Sequence, residues 1–483
     1  MSQEEQVPLT GKPTIDYGTG SWHGTAIHSL RRLSSQLSEM VAQHTGSIGT
    51  LGSMAIAVNS LTGPAMLNLP ATFGRSGIIP TCVTIVFVCF LSSFCCLHMA
   101  NTISKVPGNQ NFKKEVEFSE AFGFFWGRPW FVATHICFFC CVSCLNISSI
   151  VDTAQVVDTF FGHWWPWGGS IALQIDDGNF QWIRWDYSMC THRMIKDGDC
   201  VPFSGEPGLL LTLGKLVVTL VFLPLALMDL KENAHWQILG FLILLATSLQ
   251  FVVQFTMSGL HFHHASLWGD SWEDLFGVVL FNFALVIAIP AWLYEREPTV
   301  DVPHIVHGSS ILSAVLYIVL GILGHLAMPN VSENMLESMM SGAMGPLMQI
   351  GASIFAFAII GLGIPLFSVL TRLNLTGSGL CSERVGHLLA VFFPFSFAWM
   401  LYDGEDVTTL LSWGGVIFTS LVAFILPLIL ALHVVQCFDY EGHVLVYFGY
   451  FKESVTEVRL LYVLVFLAVL SVVAALIGTF WGS

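Results

Sequence analysis

Residues 59–70 read Asn-Ser-Leu-Thr-Gly-Pro-Ala-Met-Leu-Asn-Leu-Pro, inside an apolar stretch, 48–72, long enough to cross a bilayer. A continuous helix is not expected here, because Pro64 offers no N–H and crowds the preceding turn, while Gly63 admits unusual dihedrals. Asn59, Ser60 and Thr62 can satisfy backbone groups that the break leaves unpaired. Irregular backbone persists at membrane depth only where it is buried in protein or lines a cavity. The chemistry on offer is therefore a set of free N–H and C=O dipoles suited to a small polar ligand. A second set of residues could move protons. His98, His135, Asp152, Lys215, Asp229, His235, His325 and His387 lie within or at the ends of apolar segments, where an ionisable side chain is costly and functional by default. His98 and His325 fall inside their segments; Lys215 can extend its ammonium towards water, and Asp152 and Asp229 sit near segment ends.

Two other clusters are weaker. Cys137, Cys140, Cys141 and Cys144 form one helical stripe, but no histidine or carboxylate joins them, so they read as a packing seam rather than a metal centre. His261, His263 and His264 resemble a metal tract in composition only, and a pH-sensitive loop is the plainer reading. No metal or other cofactor is expected.

The elements that must position these residues follow from composition. With 54% apolar and 11% charged residues, and a mean hydropathy of +0.70, the chain is a multi-pass integral membrane protein. Apolar segments run over 48–72, 78–104, 129–156, 209–228, 235–257, 272–293, 305–328, 345–370, 385–401, 406–433 and 457–480, giving about eleven transmembrane helices. Placing the N-terminus in the cytoplasm puts thirteen of the 18 Lys and Arg on or near the cytoplasmic side, as the positive-inside rule requires. The net charge of −15 argues against nucleic acid as a partner. The bilayer and a small ligand are the partners expected; the sequence leaves the oligomeric state open. Residues 1–47 are polar, without the pattern of a signal peptide, and are expected to form a cytoplasmic tail carrying one basic-directed phosphorylation pattern, Arg31-Arg32-Leu33-Ser34. The domain proper is 48–480. Its long outer loop, 157–208, holds Cys190 and Cys200, the expected disulfide. Asn330-Val331-Ser332 is a glycosylation sequon in a later outer loop.

The order of spans suggests a duplication of five plus five, inverted, plus one, with discontinuous helices 1 and 6 facing each other at the midplane. In the sixth span only Asn282 marks a polar interruption, within Phe281-Asn282-Phe283-Ala284.

Asn59-x-x-x-Gly63-Pro64-Ala65-x-Leu67-x-x-Pro70, followed by Phe73-Gly74-x-x-Gly77, resembles the first-span signature of the amino acid/auxin permease family. Phe118-Ser119-Glu120-Ala121-Phe122-Gly123, Phe281-x-Phe283 with Pro290, and Tyr294-Glu295-Arg296-Glu297-Pro298 agree with it. The resemblance spans about Gly46 to Phe480. It implies an all-α, LeuT-like inverted-repeat fold and secondary active transport of amino acids by alternating access, driven by a proton or sodium gradient. Plasma membrane and vacuolar or lysosomal membrane are equivalent on this reading. Two departures bear on it: Leu285 and Val286 stand where relatives often carry a small residue and a histidine, and Gly361-Leu362-Gly363-Ile364-Pro365 lacks the Thr or Ser that sodium users tend to place before the proline. The loss of hydroxyl ligands favours H+ over Na+ as the coupling ion.

The substrate carboxylate is expected at the half-helix starting near Ala65 and Met66, and its ammonium at carbonyls of Asn59, Ser60 and Leu61 and of Phe281 to Phe283. Asn146 and Ser149, with Ser143 and Thr153, complete the wall, or else make interhelical hydrogen bonds. None is charged, so neutral amino acids are the expected substrates. An amino-acid-sensing transceptor of the same fold is the alternative. A membrane enzyme has no motif to support it: HExxH, GxSxG and a Walker loop are all missing.

Overall fold

The computed structural model describes residues 47–164, 169–176, 179–190, 202–203, 206, 208–272, 275–328, 335–340, 344–402, 414–437, 446 and 454–481. The expected tail with its phosphorylation pattern, Cys200 and Asn330 lie outside the described residues.

Both expected discontinuities are present. The first span is α1 (Thr50–Leu61), a 3-10 turn (Pro64–Asn68) and α2 (Leu69–Ser76). A tight turn at Gly77 leads into α3 (Ile78–Ser104). Gly77 has φ +87° and a Cβ there would lie 2.5 Å from the Gly269 nitrogen, so only glycine fits. An amphipathic α4 (Phe118–Trp126) opens with a capping box between Glu117 and Glu120 and precedes the long α5 (Arg128–Trp164). Then come α6 (Leu213–Ala226), α7 (Leu230–Ser258), and a second broken span: α8 (Leu275–Asn282), a 3-10 turn (Leu285–Ala288) and α9 (Ile289–Glu295). Further on are α10 (Val302–Ala327), α11 (Met335–Met340), α12 (Pro346–Phe355) continuing through a π turn into α13 (Gly361–Gly377), α14 (Glu383–His387) continuing likewise into α15 (Phe393–Met400), α16 (Gly414–Cys437) and α17 (Ser454–Trp481). Eight of the described helical runs are long and apolar enough to cross a membrane, and Thr50–Leu61 and Leu213–Ala226 are shorter apolar helices. The order of elements follows the eleven apolar segments of the sequence.

The all-α membrane body carries a small sheet that the hydropathy pattern alone does not suggest. Strands β1 (Ser170–Asp176), β2 (Asn179–Trp185) and β3 (Leu209–Thr212) pair antiparallel in the order β2-β1-β3, with Ala172 opposite both Ile183 and Thr212. The sheet sits on the end of α5: a Cβ at Gly162 would lie 2.0 Å from the Trp185 ring. Cys190 is disulfide-bonded, and the ten other described cysteines, the stripe on α5 included, are free.

At the opposite end, Ile48 pairs with Arg296 as an isolated parallel bridge. Ser47 and Ile48 donate to the Glu295 carbonyl at 2.8 and 3.0 Å, and Glu297 donates back to Ile48 at 3.0 Å. The start of the first broken span is thus tied to the end of the second. Arg296 is drawn into this junction, its guanidinium 5.1 Å from the Phe112 ring centroid and 2.7 Å from the Val300 carbonyl, and burial holds its pKa below the usual range.

Candidate functional site

The first hinge is built from local chemistry. The Thr62 N–H and Oγ1 both donate to the Val58 carbonyl, at 2.9 and 2.7 Å, and Gly63 N donates to Leu61. This closes α1 without passing its last carbonyls to a following turn. Gly63 takes φ −98°, ψ −174°, extended backbone that any residue adopts, so the sequence argument from unusual dihedrals does not hold. What glycine supplies is space: a Cβ on Gly63 would meet nothing within 4 Å. The 3-10 turn that follows has no side-chain cap; Met66 N–H donates to the Gly63 carbonyl at 3.2 Å, which leaves the first N–H of the turn, at Ala65, for a ligand.

The second hinge needs help from elsewhere. α8 ends at Asn282, Ala284 has φ −84°, ψ 31°, and the Leu285–Ala288 turn again has no side-chain cap. Neither glycine nor proline makes this break; Pro290 lies in the first turn of α9, where a proline is tolerated. Instead Ser92 of α3 donates to the Phe283 carbonyl at 2.7 Å. Tyr317 of α10, 1% exposed, donates its hydroxyl to the Leu61 carbonyl and has the Asn282 carbonyl 3.3 Å away, its ring edge-on to Phe283. One phenol proton serves one acceptor at a time, so Tyr317 joins the carbonyl ends of both broken helices yet leaves acceptor capacity over. Neither residue is legible in the sequence, since their partners lie 191, 256 and 35 positions away.

The remaining expected residues divide. Asn146 Nδ2 donates to Ser368 of α13 at 2.9 Å, an interhelical bond that leaves its Oδ1 unpartnered. Asn282 Oδ1 and Ser143 Oγ are likewise buried without a partner among the described residues. Ser60, Ser149 and Thr153 return their hydroxyls to carbonyls one turn back in their own helices. Met66 is buried at the hinge, and Phe281 turns away towards Gly415 of α16. Asn59 faces α7: its Nδ2 donates to both the Oε1 and the carbonyl of Gln237, each at 2.8 Å. Gln237 Nε2 in turn donates to Asn233 and, at 2.9 Å, to the Leu362 carbonyl of α13. Gly240 allows this approach, since a Cβ there would lie 3.2 Å from Asn59 Nδ2. An uncharged side chain thus occupies a carbonyl that a cation between the first and eighth spans would want.

Of the titratable set, neither His98 nor His325 is brought to the hinges. His98 is buried on α3, beyond Ser92, and His325 is buried in the last turn of α10, where its ring would lie 3.1 Å from a Cβ on Gly74. Lys215 does not reach water as its position in the sequence suggests. It is 1% exposed, donates to the carbonyls of Leu210 and Trp399 at 2.7 and 3.0 Å, and lies over the Tyr402 ring. Beside it is Asp158, which the sequence reading passed over. Fully buried, Asp158 accepts from Ser170 Oγ at 2.5 Å, Gly214 N at 2.7 Å and Tyr402 OH at 2.9 Å, pinning the sheet and α6 to α5. Asp229 is a surface partner of the buried Arg372 at 3.1 Å.

No family model matches the chain, and no curated protein matches it by sequence. Its architecture does match. The crystal structure of MhsT in complex with L-phenylalanine aligns with a TM-score of 0.60 over 90% of this chain and 100% of that one, at 10% identity. The chain has the LeuT-like fold. At that identity the likeness establishes the fold alone, and the permease resemblance continues to rest on the motifs that carry it.

Proposed function

We propose that the chain is a secondary active transporter of neutral amino acids, coupled to protons, working by alternating access. The observation that carries this reading is the pair of hinges. Two uncapped half-helix starts supply N–H groups for a carboxylate, while the carbonyls of Asn282 and Phe283, each with a lone pair beyond its contact with Tyr317 or Ser92, can take an ammonium. A zwitterion presents both charges a few ångströms apart, and open space at Gly63 lies beside them. MhsT, of the same fold, was solved with an amino acid. On the far side of the hinges from the sheet lies a void of about 10 Å³, near the least that holds one water, lined by Ser53, Ala57, Leu285, Trp292 and Val306. Ser53 Oγ and Trp292 Nε1 are buried there without partners, which makes it a seam along which α1 can part from the second broken span.

The occupation of the Leu362 carbonyl by Gln237, with glycines at 361 and 363, supports protons over sodium. The test is uptake of a panel of labelled amino acids into proteoliposomes under separately imposed pH and sodium gradients. Uptake of neutral amino acids should rise as the pH on the sheet side falls from about 7.5 to about 5.5, and should be unchanged when choline replaces sodium. Uptake that collapses in choline and ignores pH would refute the proton half of the reading while leaving transport intact; no uptake under any gradient would remove both.

A further inference from the structure

Asp152 is an acid at membrane depth with no counter-charge among the described residues. It belongs to α5, 12 residues before the helix ends at Trp164, about 18 Å at about 1.5 Å per residue, so it is not the helix-end residue its place in the sequence suggests. Among the described residues its one hydrogen bond comes from its own helix, Ser148 Oγ at 3.2 Å. The face it occupies is identifiable. Residues Leu145, Ser149 and Val156 lie seven and three positions before it and four after it, one stripe of a helix. Leu145 and Val156 pack in the core that contains Met66, Leu67 and Phe283, whereas Ile147, Ile150, Ala154 and Val157 on the other flank pack in a separate cluster with α6 and α15. α5 also touches the Pro64–Asn68 turn. Asp152 therefore lies on the stripe of α5 that packs in the core containing the hinges, and it retains partial exposure.

Among the described residues, the charged groups of the elements packed against α5 are engaged elsewhere. Lys215 of α6 lies on the opposite flank with Asp158 and Tyr402. Arg372 of α13 is bound to the carbonyls of Leu227 and Met228 and to Asp229, with His387 at 3.1 Å. Glu120 of α4, His135 of α5 and His433 of α16 are at the end away from the sheet, and His163 and Asp176 at the sheet. The 3-10 and π turns that touch α5 carry no charge. An unpaired carboxylate at this depth is expensive, and a bound proton removes that cost.

We infer that Asp152 is the residue that carries the coupling proton, taken up while the hinge face opens to the sheet side and released when it opens to the other. The inference rests on the proton-coupled reading above and assigns it to a residue, in place of His98 and His325. A protonated carboxyl can share the hinge face with a neutral substrate; a carboxylate there demands water or a cation, so its protonation state biases which side the face is open to.

The wild type is measured first: a pH gradient that drives no accumulation ends the coupling reading before any variant is made. Given coupling, Asp152→Asn should lose about tenfold or more of gradient-driven accumulation while keeping exchange of internal for external amino acid within about twofold. Asp152→Glu should keep accumulation with a displaced pH profile. Retained accumulation in Asp152→Asn overturns the inference, as does a wild type that prefers lysine or arginine and loses that preference in the variant, for then the carboxylate is a substrate partner. Should the variants fail to fold, the wild type still decides. Dicyclohexylcarbodiimide, which modifies protonated carboxyls inside membranes, should label Asp152 and spare Asp158, read by mass spectrometry, and failure to label Asp152 overturns the inference.

Discussion

Asp152 and Asp158 lie six residues apart on one helix, and their surroundings are opposites. Asp158 has three donors from three other parts of the chain, plus a lysine beside it, and is sealed under a sheet. Asp152 has one hydroxyl from its own helix. The same contrast separates the regions they belong to. The polar groups that meet Asp158 are paired through it; around the hinges the side-chain oxygens of Asn146, Asn282 and Ser143 are buried with no partner among the described residues. A satisfied buried network holds structure, because every member would lose something by moving. An unsatisfied one at a helix break is a place where a ligand or a proton completes the set. Stability should therefore be concentrated at the sheet end and turnover at the hinges.

The largest loss of stability is expected at the anchor. Asp158→Ala leaves the Ser170 and Tyr402 hydroxyls and the Gly214 N–H without an acceptor, and Lys215 without a nearby opposite charge; such a removal costs about 3–5 kcal/mol. Thermal unfolding in detergent should show a clear fall in midpoint. An unchanged midpoint would mean that the network is not what fixes the sheet to α5.

A smaller loss is expected at Tyr317, which belongs to both categories. Tyr317→Phe keeps the ring against Phe283 but removes one of the two donors to the Leu61 carbonyl, leaving it the Gly63 N–H, a cost of about 1 kcal/mol. Because the same hydroxyl ties the two carbonyl ends together, uptake should fall further than stability predicts. A variant that unfolds earlier but transports at the normal rate would move Tyr317 to the structural side of the comparison.

These two regions were also unequally legible in the sequence. The first hinge announces itself through Gly63 and Pro64, because its cause is local. The second does not, because the groups that hold it open, Ser92 and Tyr317, come from other helices. Asp158 is hidden for the same reason: the groups that donate to it are at 170, 214 and 402, and an apolar segment ending at 156 places it in a loop. The strands left a signal that hydropathy windows smooth away. Ile171, Leu173 and Ile175 alternate with Ala172 and Gln174, a period of two that a strand accounts for and a loop does not. Asn59, expected to satisfy backbone groups at the break, donates instead to Gln237, to which nothing near it in sequence points.

The smallest effect on stability, and the sharpest test of the division, belongs to Gly63. Its backbone is extended, so a side chain brings no dihedral strain, and a Cβ would enter open space, so it brings no clash. Gly63→Ala should shift the unfolding free energy by less than about 1 kcal/mol, and the loss of chain entropy in the unfolded state can even make the change favourable. Uptake should nevertheless drop, because the added methyl occupies volume between the two uncapped half-helix starts, and the drop should deepen with side-chain size. Gly63→Leu, together with Pro64→Ala to restore the helix, should abolish transport while leaving insertion intact. If a series from alanine to leucine at 63 leaves uptake untouched at each size, the space is not where the substrate sits, and the ligand must be sought away from the hinges altogether.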